Sequence, residues 1–140
     1  MAEDLNQTLA RIIADIGADS GTIHLLDADG VLHLRSASAG IPAPVLDAVR
    51  IVPVGKGMAG LAVQRNEPVT ACNIQTDASG DVRSGARATG LQGAIALPIR
   101  NAQGVAVGCL GVANFRERTF TGEEIAKLID AGIRIATADS

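Results

Sequence analysis

The chain has 140 residues, the size of one domain with one core, and its 12 Lys and Arg against 15 Asp and Glu give a formal charge of −3. The basic residues are scattered, which excludes the concentrated face that nucleic-acid binding needs, and no apolar run has transmembrane length. There is no Trp or Tyr, and Phe115 and Phe120 are the only aromatic rings, so a stacking platform for a base, flavin or porphyrin would be built almost without them. Two cysteines, Cys72 and Cys109, and an acidic amphipathic start with no targeting character predict a reduced, cytoplasmic setting with no membrane partner.

Leu5, Leu9, Ile12, Ile13 and Ile16 recur at helical spacing and stop at Gly17, which predicts an amphipathic first helix. Thr22–Leu26 and Val31–Ala37 flank Asp27-Ala28-Asp29-Gly30, an antiparallel hairpin signal. One register of that hairpin sets His24 opposite His33, although such a pair lacks the third ligand a zinc site requires. Ile41-Pro42-Ala43-Pro44 opens a short helix to Val49, because proline is tolerated in a first helical turn, and Arg50–Val54 follows as a strand.

Gly55-Lys56-Gly57-Met58-Ala59-Gly60 then spells G-x-G-x-x-G. The surroundings argue against a dinucleotide reading of this motif: Pro68 comes too soon for a full crossover helix, Pro53 breaks the strand before it, and the downstream acid Asp77 sits in a polar loop. Val69–Ile74 reads as a strand. Gln75–Thr89 is polar and glycine-rich, and it is the longest stretch without a clear element, a place where function or mobility concentrates.

Gly93–Ile99, a turn at Arg100–Gly104 and Val105–Asn114 form a second hairpin, apolar enough for burial on both faces. Thr121-x-x-Glu124 is a capping box for a last helix striped by Ile125, Leu128, Ile129, Gly132 and Ala136. The sum is one α+β domain over residues 1–140: an antiparallel sheet with both terminal helices on one face.

Five segments in this order resemble a GAF domain: Gly21–Asp27, Val54–Gly60 with Asn66–Val69, Gly93–Ile99, Gly108–Val112 and Phe120–Glu124. The likeness runs from about Leu5 to about Ala136. It implies a PAS-related six-stranded antiparallel sheet flanked by helices, a small-molecule pocket between the sheet and the middle segments, and a homodimer formed through the terminal helices. Under it the glycine block is a turn closing onto the sheet, and any signalling output passes to a separate effector protein.

Subgroups of the family narrow the chemistry. Free methionine-R-sulfoxide reductases of this fold use cysteines at positions that resemble Met58 and the Ala88–Ala94 segment, where this chain has none. Cys72 and Cys109 fall in predicted strands, where a thiol acts as a small core hydrophobe. Tetrapyrrole-binding relatives use a Cys-His pair that is absent here. Cyclic-nucleotide-binding members carry an Asn-Lys pair, a phenylalanine and an acidic pair; Asn114, Phe120 and Glu124 match, but Phe115 stands where the lysine would.

The ligand-binding candidates are Met58, Cys72, Asp77, Arg83, Arg87 and Thr89, with no catalytic residue, metal or cofactor. Arg83 and Arg87 are spaced i, i+4, so a helical turn would set both guanidiniums toward one carboxylate or oxyanion. The plainer and preferred reading makes them loop charges, solvated or paired with Asp77 and Asp81. The expected function is a non-catalytic small-molecule sensor, with a ligand-free dimerisation module, or a reductase, as the alternatives.

Overall fold

The computed structural model describes residues 4–75 and 90–139. Asp77, Arg83, Arg87 and Thr89 therefore lie outside the described residues.

A six-stranded antiparallel sheet in the order β3-β2-β1-β6-β5-β4 forms the centre of the molecule. Its strands are β1 (Ser20–Leu26), β2 (Val31–Ala37), β3 (Ile51–Pro53), β4 (Val69–Ala71), β5 (Ala94–Arg100) and β6 (Ala106–Ala113). The helices are α1 (Leu5–Ile16), α2 (Ala43–Val49), α3 (Gly57–Arg65) and α4 (Gly122–Asp139). As expected from the sequence, α1 and α4 share one face of the sheet. Leu9, Ile12 and Ile16 of α1 and Leu128, Ala131 and Ile135 of α4 pack with Ile23, Leu25, Ile95, Leu97, Ile99, Leu110 and Val112 from the central strands. Each such aliphatic removed from water contributes about 1.5–3 kcal/mol, so this layer supplies the main favourable term of the fold.

Local signals fix both ends of α1 and the start of α4. Asp4 caps α1 by accepting from the Gln7 amide at 2.8 Å, and Gly17 terminates it with φ of 69°. At the start of α4 the Thr121 hydroxyl accepts from the Glu124 amide at 3.1 Å while the Glu124 carboxylate accepts from the Thr121 amide at 2.9 Å, the reciprocal box that the spacing predicts.

Two expectations are corrected. His24 and His33 are not opposite: the register pairs His24 with Leu34 and Leu25 with His33, so the two rings fall on different faces of the hairpin. His33 bonds Asp27 at the turn at 2.6 Å, and with the Asp29 and Val31 amides it holds the Asp27 carboxyl below its ordinary range. The strand predicted over Val69–Ile74 ends at Ala71, because the Cys72 carbonyl accepts from the Arg118 amide at 3.1 Å and the Ile74 amide donates to Gln92 at 2.7 Å. Cys72 is thus an exposed thiol beyond the strand and not a core hydrophobe, whereas Cys109 is buried in β6 as expected.

The glycine block is a turn that folds onto the sheet. Gly55 has φ of 91° and bonds the Gly60 carbonyl through its amide at 2.9 Å. A Cβ on Gly60 would stand 2.4 Å from the Pro53 carbonyl oxygen, so only glycine lets α3 pass this close to the end of β3. The resulting helix has nine residues, short of a dinucleotide-binding crossover.

Candidate functional site

The two faces of the sheet differ in side-chain size. Along β5, Ala94-Ile95-Ala96-Leu97 alternates small and large residues, and along β6, Cys109-Leu110-Gly111-Val112-Ala113 does the same. The large members pack under α1 and α4, while the small ones face the side of α2 and α3. With Ser20, Thr22 and His24 of β1 they leave a cavity of about 440 Å³ between the sheet and those two helices. The volume is in the range of small-molecule sites.

Ile41, Val45, Ala48 and Val49 line the cavity from the α2 side, and Lys56, Gly57, Met58 and Ala59 from the start of α3. No residue of α2 is buried. The lining is predominantly apolar, with Ser20, Thr22, His24 and Lys56 as its polar side chains among the described residues. The Ser20 hydroxyl is 3.1 Å from that of Ser38, so its hydrogen bonding is already engaged within the fold.

His24 is 3% exposed, and its Nε2 lies 2.8 Å from the carbonyl oxygen of Val49, the last residue of α2. A carbonyl can only accept, so Nε2 donates. Burial pushes the imidazole below its ordinary pKa of 6.5, with the bond to Val49 opposing. Cys109, across from His24 in the β1–β6 register, is pushed up to about 12 by burial, leaving it a thiol at neutral pH.

Of the six sequence candidates, the structure places Met58 in the cavity wall. Cys72 is exposed, does not line the cavity, and stands 3.8 Å from the Thr119 hydroxyl. The other four lie outside the described residues.

The residues matching the nucleotide-binding pattern serve another purpose. Phe120 is buried in the layer beneath the terminal helices, and Asn114 Nδ2 donates to Gly17 O at 3.0 Å. The Arg118 guanidinium bonds Ile16 O at 2.7 Å, Asn114 Oδ1 at 2.8 Å and the Glu124 carboxylate, and stacks over Phe120 at 4.3 Å. Together these groups clamp the end of α1 to the start of α4. Phe115 is exposed, and the cation that pairs with Glu124 is Arg118.

Sequence reasoning missed the cavity floor. Its signal in the sequence is the small–large alternation of β5 and β6, which by itself indicates only burial on both faces.

The sequence profile of the GAF domain family matches residues 2–131. This chain belongs to the GAF domain family. Solved structures agree on the GAF fold at low identity. The GAF domain of a phosphoenolpyruvate-protein phosphotransferase from Coxiella burnetii superposes with a TM-score of 0.78 at 22% identity, over 99% of this chain and 83% of that one. A type II free methionine-R-sulfoxide reductase from Thermoplasma acidophilum gives 0.78 at 18% identity, over 96% and 88%. The free methionine-R-sulfoxide reductase from Neisseria meningitidis gives 0.76 at 16%, over 96% and 74%. No curated protein matches the GAF chain. Two reductases and the GAF domain of a phosphotransferase thus share this backbone, and the fold alone does not discriminate between them. No helix among the described residues is long and apolar enough to cross a membrane.

Proposed function

We propose that this GAF domain is a non-catalytic cytosolic sensor module that binds a small, largely apolar molecule in the cavity between the sheet and the helices α2 and α3. The observation that carries the reading is the size asymmetry of the sheet, which places alanine, glycine and cysteine wherever the floor of the cavity needs room. Arg83 and Arg87, which left an anion or small polar metabolite open as the ligand, lie outside the described residues; the described lining favours an apolar body. Thiol chemistry is disfavoured because Cys109 stays protonated and Cys72 stands away from the cavity, so no thiolate is poised to attack a sulfoxide there.

Dimerisation through α1 and α4 belongs to the same proposal, as the route by which occupancy reaches a separate effector. Most aliphatics of both helices are committed to their own sheet, which leaves Ile133, 38% exposed, for a partner copy. The groove between the helices carries Arg11, Lys127 and Arg134 with Asp15 and Asp130, a mixed-sign set suited to a two-fold contact.

A thermal-shift screen of small metabolites on the wild type and Gly111→Val tests the cavity. A Cβ at Gly111 meets only Thr22 Oγ1 at 3.3 Å and Ile95 O at 3.9 Å, so valine projects into the space. A cavity ligand raises the wild-type midpoint and leaves the variant unmoved. Equal shifts in both proteins would place binding elsewhere.

A further inference from the structure

Among the described residues one buried side-chain nitrogen or oxygen lacks a partner, and it is Nδ1 of His24. Because Nε2 holds its hydrogen for the Val49 carbonyl, the neutral ring presents Nδ1 as an acceptor. Cys109, its neighbour across the strands, turns its thiol toward Leu110 O at 3.8 Å. A buried acceptor without a donor is an unfavourable arrangement that a matching donor relieves.

The ring also sits against the C-terminal end of α2. With no buried residue, α2 loses little packing if it shifts, and the His24–Val49 bond ties down its far end. A molecule entering the cavity can therefore reach the imidazole by displacing the Ala43 end of α2 outward, while Val49 stays on Nε2 and keeps Nδ1 an acceptor.

We infer that the cavity selects a compact apolar molecule bearing an N–H or O–H donor, and that Nδ1 of His24 accepts that hydrogen. The inference rests on the cavity being the ligand site. It sets the chemical class: a heteroaromatic amine, phenol or alcohol meets the lone pair with a proton, whereas a carboxylate oxygen would meet it with another lone pair. The apolar floor of Ala94, Ala96 and Gly111 takes the remainder of such a molecule.

Indole and 1-methylindole are the probes, since they share a ring system and differ in the donor. Calorimetry on the wild type should show indole binding at least about tenfold more tightly, the effect of leaving one buried acceptor unpaired. The ¹⁵N resonance of His24 Nδ1 should shift with indole and stay in place with 1-methylindole. His24→Phe should erase the preference; if that variant does not fold, the two wild-type readouts decide on their own. Equal affinities with no Nδ1 shift overturn the donor inference and leave the cavity as a ligand site. No binding of either probe at millimolar concentration overturns both.

Discussion

Replacing Arg118 with methionine should destabilise the fold, because one largely buried guanidinium holds together three segments. Methionine keeps an apolar stem over Phe120 but removes the donors to Ile16 O, Asn114 Oδ1 and Glu124. Gly17 O retains the bond from Asn114 Nδ2 at 3.0 Å, so two acceptors, Ile16 O and Asn114 Oδ1, lose the guanidinium's bonds. At roughly 1–3 kcal/mol for each unsatisfied buried group, and with some solvent entering the gap, the loss is about 2–4 kcal/mol. For a chain of this length that lowers the melting midpoint by roughly 6–15 °C. Glu124 adds a pH signature. Its carboxyl is held below the ordinary 4.5 by the Thr121 amide first and Arg118 second, so its contribution is present above the unfolded value and is lost as pH falls through the folded one. Acidification below about pH 4.5 should therefore cost the wild type more than Arg118→Met. Urea unfolding at several pH values measures both effects. A loss under about 1 kcal/mol at neutral pH would show that solvent replaces the clamp and refute the reasoning.

Gly60→Ala should destabilise by about 1–3 kcal/mol, since its Cβ would collide with the Pro53 carbonyl; an unchanged thermal midpoint would deny the close approach of α3 to β3. His24 should give stability a pH dependence near neutrality: its folded pKa is depressed, so stability is full above 6.5 and declines as pH falls below it, and His24→Phe should flatten that stretch of the profile. Sedimentation equilibrium at micromolar concentration should return a dimer mass that Ile133→Asp reduces to a monomer, while a wild-type monomer would remove dimerisation from the account.

Much of the fold was legible because its local and long-range signals agree. The glycine after Ile16, the Thr121–Glu124 box and the Asp27–Gly30 turn each specify an end by local hydrogen bonding, and the structure forms all three. The strand expected over Val69–Ile74 stops at Ala71: Cys72 and Ile74 look strand-like by composition, while their backbone groups bond Arg118 and Gln92, which only the tertiary fold brings near. The bond of His24 was illegible for a similar reason: its partner Val49 lies 25 residues away, across a helix whose position no local pattern encodes. The cavity floor was written in the alternation of Ala96 with Leu97 and of Gly111 with Val112, but a small residue inside a strand reads as void space only once the opposite face is known to be filled.

The central claim is that the space between the sheet and α2 and α3 admits a ligand, and amide and alanine-methyl NMR during a titration with indole tests it most directly. The account predicts progressive shifts clustered at Thr22, His24, Met58, Ala96 and Gly111, with the resonances of Arg11, Lys127 and Arg134 unmoved. Shifts confined to the groove between α1 and α4, or none up to saturating indole, would contradict it.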